Sequence, residues 1–352
     1  MPGVKDRSGG IIGGGPHLGG MTPYSLLDLV PVTEGGSVAQ SLANAADLAR
    51  HAEAHGYHRY WTAEHHGMVG IASAATALVI GHVAAATRTI RVGAGGIMLP
   101  NHAPLTIAEQ FGTLDALYPG RIDLGLGRAP GSDQRVAQAL RRTLVGGADE
   151  FPRDVMELRS YFADDGQTGI VATPGAGADV KLWILGSSTY GAQLAAALGL
   201  PYAFASHFAP DALDQALAIY RRDFRPSAQL DRPYAIAGFN VFGADTDEEA
   251  QFLASSQQQA FVALRTGRPG KMPRPVEGYA KSLGPQGSAM LDQVLRCSAT
   301  GNPATVARGL AAFVERTRVD EVLVTSAIWD HEARKRSVAI AAGAMAEVKL
   351  AA

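Results

Sequence analysis

The sequence predicts an α/β fold, a (β/α)8 TIM barrel with a late insertion, and three observations support this prediction. Eight short apolar segments of strand length recur along the 352 residues, helical segments lie between them, and no change in composition divides the chain. Polar or glycine-rich clusters follow several of the strands, as in parallel βαβ units. A doubly wound open sheet is the alternative, because strand counts taken from pattern alone are often wrong by one or two.

Strands and helices are predicted to alternate through most of the chain. The strands are expected at 24–30, 59–62, 89–93, 121–126, 182–185, 202–205, 234–242 and 321–325. Helices are expected at 37–55, 70–86, 133–144, 151–162, 186–198, 210–224, 245–264, 303–317 and 333–348, and a further helix is expected between the strands at 89–93 and 121–126. Local signals support these bounds: Ser37 is an N-cap candidate and Gly56 a stop signal for the first helix, and acidic residues begin the helix at 245–264.

Two segments do not follow this alternation. Residues 1–20 contain eight glycines and are expected to be a flexible tail or a segment added for expression, with Met21 as the natural start and 21–352 as one domain. Residues 265–286 are rich in Gly and Pro with a basic bias, which disfavours a regular helix or a central strand. We predict that this insertion is a mobile lid, with a passive surface loop as the alternative.

The composition argues against several classes of partner. A net charge of −2 and the lack of any run of Lys or Arg disfavour nucleic acid binding. The most apolar window, 70–86, consists of small residues around His82 and does not predict a membrane span. The single cysteine, Cys297, excludes an internal disulfide, is interpreted as a packing residue, and fits a cytoplasmic location.

Glu64, His65 and His66 form the most polar cluster at the end of a predicted strand. In a parallel barrel, active sites are built at this end of the strands. Adjacent residues at a strand end point to opposite sides, so the triplet is a poor metal motif and no metal is predicted. One histidine is interpreted as structural. The other is interpreted as a general base or hydrogen-bond donor that Glu64 orients.

Glycines and one arginine follow the next two predicted strands. Gly93, Gly95 and Gly96 suggest that a flat ligand lies directly against the backbone, although a bulge would also explain them. The sequence GAGG does not match the dinucleotide fingerprint G-x-G-x-x-G. Arg128 could pair with a carbonyl oxygen or a phosphate, and an exposed ion pair is the alternative.

The segment GSSTYG at 186–191 has the strongest anion-binding pattern in the chain. Backbone N–H groups at a helix start, two serine hydroxyls and the positive end of the helix dipole suit a phosphate group. An ordinary serine N-cap, which stabilises a helix by about 1 kcal/mol without any ligand, is the alternative.

Together these segments resemble the bacterial luciferase-like flavin-dependent monooxygenase family, especially its alkanal monooxygenase-like single-component members. The resemblance covers the chain from Met21 to the C-terminus. It is carried by the motifs WTAEHHG, VGAGGIMLPNHAPL, AEQFGTLDALYPGRIDLGLGRAPGSD, LGSSTYGAQLAAALGLPYAFASHF and DEVLVTSAIWDHEARKRS.

This resemblance implies an enzyme that binds FMN as a dissociable substrate, reduced by a separate NAD(P)H-dependent flavin reductase. In the family, O2 adds to the reduced flavin, and the adduct transfers one oxygen atom to an aldehyde or another electron-poor or soft substrate atom. The protein excludes water and holds the adduct. A homodimer is expected as well.

Residue roles follow from the matching motif positions. His65 matches the catalytic histidine of the family, with Glu64 and Arg128 as further catalytic candidates. Cofactor binding is expected at Gly95, Gly96, Arg128, Gly186, Ser187, Ser188, Tyr190 and Gly191. The two glycines match a pair joined by a cis peptide beneath the flavin ring. One position departs from luciferase: Gly127 stands where its catalytic subunit has a reactive cysteine, which argues against light emission.

Two other functions compete with FMN-dependent oxygenation. The same superfamily includes oxidoreductases that use the deazaflavin F420, and some relatives keep the barrel as flavin-binding partners without catalysis. The full Glu64, His65 and His66 cluster together with Arg128 argues against the non-catalytic alternative. The substrate is expected to depend on loop residues, among them Met68, His207, Phe208, Trp329 and the insertion at 265–286.

Overall fold

The predicted strands pair in the order in which they occur along the chain. The computed structural model describes residues 20–128, 134–140, 150–167 and 169–348. The strands within this part of the chain are β1 (Tyr24–Asp28), β2 (Arg59–Thr62), β3 (Arg91–Met98), β4 (Ile122–Gly127), β5 (Lys181–Gly186), β6 (Tyr202–Phe204), β7 (Ala235–Gly243), β8 (Ser298–Gly301) and β9 (Glu321–Thr325).

The helices pack around the outside of these strands. They are α1 (Val38–Ala54), α2 (Thr76–Ala86), α3 (Pro104–Leu117), α4 (Gln134–Leu140), α5 (Phe151–Ala163), α6 (Thr189–Leu198), α7 (Leu213–Asp223), α8 (Asp247–Arg265), α9 (Tyr279–Ser282), α10 (Pro285–Val294), α11 (Pro303–Thr317) and α12 (His331–Met345). Ser37 caps α1 and Thr246 caps α8, each accepting a hydrogen bond from a backbone N–H three residues later.

Eight strands close into a ring. Strands β1 to β6 pair in sequence, β6 pairs with β7, and β9 lies between β7 and β1. Every one of these pairs is parallel, so all eight carboxyl ends lie on one face of the barrel. The (β/α)8 prediction is confirmed. The open-sheet alternative is wrong, because an open sheet would leave two unpaired edge strands where this ring has none among its eight described strands.

The sequence pattern misses β8 and α10. The sequence of β8, SATG, is short and lacks an apolar alternation, and this strand pairs only with residues 240–243 at the far end of β7. Helix α10 follows directly on the Gly- and Pro-rich insertion, whose composition hides its start at Pro285. Both elements lie outside the barrel ring and leave its strand order unchanged.

The insertion at 265–286 is irregular from 266 to 278, and only its last part is helical, in α9 and the first residues of α10. Its backbone lies beside the loop after β1: Met272 N donates to Val32 O at 2.9 Å, and Glu34 N donates to Met272 O at 2.8 Å. The insertion also touches the loop after β2, because a Cβ on Gly70 would lie 2.1 Å from Gly270 O. It therefore lies on the face that holds the carboxyl ends of the strands.

Some predictions fall outside the described residues. These are the tail at 1–20 except for its last residue, and residues 133 and 141–144 of the helix predicted at 133–144. Within the described part, the window at 70–86 is helical only from Thr76. None of the described helices combines the length and the apolar character that a bilayer crossing needs.

The amino-terminal half of the barrel is filled by a charged layer and an aromatic layer. Arg59 donates from Nε and Nη2 to Glu321, at 2.8 and 2.9 Å, and from Nη1 to Asp123 at 2.8 Å. All three side chains are fully buried. Above them Trp61 and Trp183 pack edge to face, with 5.1 Å between ring centroids. Space for a ligand therefore lies toward the carboxyl ends of the strands.

We predict that Arg59→Met lowers the free energy of unfolding by about 3–5 kcal/mol, because it leaves two buried carboxylates without their shared cation. Urea denaturation followed by circular dichroism would measure the change. Arg222→Met is the matched control. Its guanidinium binds Asp223 at the surface, and its loss should leave the unfolding midpoint unchanged. A loss at Arg59 no larger than at Arg222 would contradict the prediction.

Candidate functional site

The predicted site residues lie in or just after the carboxyl-terminal parts of β2, β3, β4 and β5, and two of them, Tyr190 and Gly191, lie in the first turn of α6. Because these strands are neighbours and parallel, the loops lie side by side on one face of the barrel. Contacts join them into two groups. Glu64 links the loops after β2 and β3, and Arg128 links the loops after β4 and β5.

The carboxylate of Glu64 is the centre of the first group. Its Oε1 accepts hydrogen bonds from Asn101 Nδ2 at 2.9 Å and His66 Nε2 at 2.8 Å. Its Oε2 accepts from Met98 N at 3.0 Å and from His102 Nε2 at 2.9 Å. The side chain is 1% exposed. Glu64 therefore holds the loop after β3 in place against the loop after β2.

These bonds also decide the charge of Glu64. Burial alone would raise its pKa, but the hydrogen bonds from His102, Asn101 and the backbone of Met98 keep the pKa of this carboxyl below its ordinary value. Nitrogen and oxygen atoms of Glu64, His66 and His102 lie within 4.8 Å of one another, close enough to ligate a metal. The four hydrogen bonds account for this geometry without an ion.

His65 points away from this network. The expected contact between Glu64 and His65 is replaced by contacts of Glu64 with His66 and His102, because residues two apart, rather than adjacent ones, share a side. The Nδ1 atom of His65 is buried and makes no hydrogen bond of normal geometry within the described chain. Burial lowers the pKa of His65, more than the nearby carbonyl of Ala63 raises it.

Gly95 and Gly96 form a flat floor at the mouth of the barrel, and the peptide bond between them is cis. A Cβ on Gly95 would lie 2.9 Å from Trp61 Cε3 and 3.3 Å from Leu27 Cδ1. A Cβ on Gly96 would lie 2.5 Å from Gly125 O. Side chains are thus excluded at both positions, which leaves bare backbone above the tryptophan layer.

The loop at 186–191 leads into α6 with its serine hydroxyls free of capping bonds. Ser188 is the N-cap residue in an extended conformation, yet its side chain makes no capping hydrogen bond. Ser187 and Ser188 are exposed. A Cβ on Gly191 would lie 3.2 Å from the ring of Tyr202 and 3.5 Å from the Cα of Gly186, so the turn is tight. Hydroxyls and backbone N–H groups at this helix start can meet an anion.

Arg128 lies with its guanidinium carbon 4.0 Å from the ring centroid of Tyr190. This contact brings the arginine to the segment at 186–191 and stacks its guanidinium on an aromatic ring. The neighbouring Gly127 is packed against Met98, whose Sδ would lie 2.7 Å from a Cβ at position 127. The end of β4 is therefore closed by the methionine side chain.

The sequence interpretation misses two polar residues of the site, Asn101 and His102. They follow β3 in the motif LPNHAPL, and both contact Glu64. A polar pair directly after a glycine-rich strand is the same signal that singled out residues 64–66. It is weaker here because Leu99 and Pro100, the first two residues of a short 3₁₀ turn, stand between the strand and the pair.

His207, in the loop after β6, also lies at the barrel mouth. Its ring lies on Gly238 of β7, where a Cβ would be 2.3 Å from Nδ1. Asn240 Nδ2 donates to His207 O at 2.7 Å. Burial, followed by the charge of His65, lowers the pKa of His207 to about 4. The ring is therefore neutral at pH 7.

Comparison with known proteins shows close relatives. The family model described as luciferase-like monooxygenase matches residues 22–321. An Escherichia coli (strain K12) protein called luciferase-like monooxygenase is 54% identical over 319 residues, 90% of this chain and 95% of the relative. The N-acetyl-S-alkylcysteine monooxygenase of Bacillus subtilis (strain 168) is 35% identical over 255 residues, 70% of this chain and 75% of the relative.

Solved structures share the fold. The crystal structure of apo-MsnO8 matches with a TM-score of 0.83 and 33% sequence identity, and the match covers 93% of this chain and 99% of the MsnO8 chain. The oxygenating constituent of 3,6-diketocamphane monooxygenase from Pseudomonas putida, solved with FMN, has a TM-score of 0.69 at 18% identity, covering 94% and 98%. An F420-dependent secondary alcohol dehydrogenase has a TM-score of 0.63 at 15% identity, covering 92% and 99%. The last two likenesses concern the fold alone.

We predict that His207 makes the fold less stable in mild acid. Between pH 6.5 and about 4 the unfolded chain binds a proton at this ring that the folded chain does not, so the free energy of unfolding falls as the pH drops through this window. The loss should reach at most about 3 kcal/mol, and His207→Gln should make the decline shallower. Denaturant titrations at several pH values would measure both slopes.

The control for this comparison is His82→Gln, which removes an exposed histidine from α2. The other titratable groups are the same in all three proteins, so the difference between slopes is the quantity to compare. Equal slopes for His207→Gln and His82→Gln would contradict a neutral, buried His207.

Proposed function

We propose that this chain, which belongs to the luciferase-like monooxygenase family, uses reduced FMN and O2 to insert one oxygen atom into a small organic substrate. The observation that carries the proposal is the pairing of two features on one face. A bare backbone floor at Gly95 and Gly96 suits a flat ring, and a helix start at 186–191 with uncapped serines suits a phosphate.

In this proposal each of the two features binds a different part of FMN. The backbone of Gly95 and Gly96 would lie against the isoalloxazine ring. The phosphate would bind the loop that holds Gly186, Ser187, Ser188, Tyr190 and Gly191. Arg128, stacked on Tyr190, would lie between the two and place a positive charge beside the anionic ligand.

Reduced flavin supplies the electrons that activate O2 for transfer of one oxygen atom, and the chain provides the surroundings. His65, half-buried and with a pKa lowered by burial, would accept or donate a proton beside the substrate, while His66 is held by Glu64 in a structural role. Trp61 and Trp183 close the barrel below the ring, so water is excluded from that side.

Partners and substrate follow from the family. We expect a separate NAD(P)H-dependent flavin reductase to supply reduced FMN, since the sequence has no nicotinamide fingerprint. The substrate could be an aldehyde, and the name of the Bacillus subtilis relative adds an S-alkyl thioether as a second class to assay. A homodimer is expected as well, from the resemblance to the family.

We predict that Ser188→Asp weakens FMN binding about tenfold or more, because it adds a like charge where the phosphate would bind. Fluorescence titration with FMN would measure the dissociation constant. Ser37→Asp is the matched control, since it changes another N-cap serine, on α1, across the barrel from β5. It should leave the affinity unchanged.

The same titration separates the competing cofactor. Wild-type protein that binds F420 but not FMN would reject the proposed function in favour of hydride transfer. Unchanged FMN affinity in Ser188→Asp would remove the loop at 186–191 from the site.

We also propose that the insertion at 265–286 acts as a lid over the barrel mouth. In the state described, Met272 pins it to the loop after β1, and Met272 is only 8% exposed. Arg274 lies over the ring of Trp329 at 4.3 Å, and Trp329 Nε1 donates to Glu34 O at 3.2 Å. Opening the lid would break all of these contacts at once. The closed lid is therefore more ordered than the open lid.

We predict that Met272→Asp detaches this segment from the loop after β1 and lets water reach the flavin. The amount of hydrogen peroxide released per reduced flavin consumed should therefore rise. Peroxide release in the presence of a flavin reductase, FMN and NADH would measure it. Met156→Asp places the same change at an exposed methionine of α5 and should leave the ratio as in wild type. Equal ratios in both variants would make the insertion a passive surface loop.

A further inference from the structure

Two buried ring nitrogens at the barrel mouth have no hydrogen-bond partner among the described residues. They are Nδ1 of His65 and Nδ1 of His207. His65 follows β2 and His207 follows β6, and these strands lie four apart in a ring of eight, on opposite sides of the barrel axis. A positive charge on His65 would lower the pKa of His207. The two histidines therefore lie on opposite walls of the barrel mouth.

The position of the His207 ring shows which of its nitrogens can meet a ligand. The atoms nearest to a Cβ built on Gly238 are His207 Nδ1 at 2.3 Å, Cγ at 3.0 Å and Cβ at 3.2 Å. The edge with Nδ1 thus lies against β7, and the edge with Nε2 faces away from it. Asn240 holds the His207 carbonyl and is itself held by Thr325, whose Oγ1 donates to Asn240 Oδ1 at 2.7 Å.

The unpaired Nδ1 also indicates where the ring proton lies. A neutral imidazole carries one N–H, and a buried N–H without an acceptor is rarer in proteins than an unpaired acceptor. The proton of His207 is therefore on Nε2. This atom is a fixed, uncharged donor that faces away from the wall of the barrel.

We propose that His207 is a substrate-binding residue whose Nε2–H donates a hydrogen bond to a carbonyl-type oxygen of the substrate, opposite His65. This inference rests on the proposed function, because it assigns the polar group that a substrate would present beside the flavin. It also specifies the ligand class, an uncharged molecule with an oxygen acceptor. A donor-only cation does not fit this position, because its N–H groups would face the Nε2–H of His207.

The direct test uses protein with 15N-labelled histidines and two small probes of similar size. Cyclopentanone offers only an oxygen acceptor, and cyclopentylammonium offers only donors. Long-range proton–nitrogen spectra should place the proton of His207 on Nε2, and cyclopentanone should shift that resonance in a saturable way. Cyclopentylammonium should leave it unmoved. A proton on Nδ1, or no shift with cyclopentanone, would overturn the proposal.

Three variants separate binding from folding. Gln places an amide N–H near the position of Nε2, so His207→Gln should keep the cyclopentanone affinity within about twofold. His207→Asn, which reaches only the Nδ1 position, and His207→Phe should weaken it about fivefold. The comparison of Gln with Asn remains informative if the Phe variant fails to fold. Equal affinity in all three variants would contradict the assignment.

FMN titration of the same proteins distinguishes this inference from the proposed function. His207 is expected to leave the FMN dissociation constant unchanged, because the loop at 186–191 follows a different strand. Normal FMN binding without a cyclopentanone effect would reject the role of His207 alone. A cyclopentanone effect in a protein that does not bind FMN would reject the flavin proposal and keep the oxygen-binding donor.

Discussion

The buried arginine between two carboxylates is the interaction on which the barrel depends. Arg59 on β2 binds Asp123 on β4 and Glu321 on β9, so one guanidinium joins three strands around the ring. Burial raises the pKa of Asp123, but the charges of Arg91 and Arg59 outweigh this effect and hold it well below its ordinary value. Removing any one charge would leave another buried and uncompensated.

The remaining lone pairs of this cluster are used by neighbouring side chains. Trp61 Nε1 donates to Asp123 Oδ2 at 3.1 Å, Tyr234 OH donates to Glu321 Oε2 at 2.8 Å, and Ser25 Oγ donates to Glu321 Oε1. The same tryptophan lies beneath Gly95. The ionic layer thus holds Trp61 at a defined position along the barrel axis. Trp61 in turn supports the backbone of Gly95 in the candidate site.

The sequence predicts the barrel well because each barrel strand is a buried, apolar run followed by a polar or glycine-rich loop. It also predicts that Glu64, His65 and His66 lie at a strand end. Alternation along the strand also places His66, rather than His65, on the side of Glu64, but the contact of Glu64 with His102, 38 residues away on another loop, has no local signal. The elements it misses, β8 and α10, are stabilised by contacts with β7 and α8 rather than by local sequence signals.

The packing of Met98 against Gly127 constrains how this chain could acquire a thiol beside the proposed flavin position. A cysteine at position 127 would bring its Cβ to 2.7 Å from Met98 Sδ, so the methionine must first move or be replaced by a smaller residue. The two positions are therefore coupled, because a side chain at position 127 displaces the flexible end of Met98. A smaller residue at position 98 would remove the clash before a cysteine is introduced at position 127.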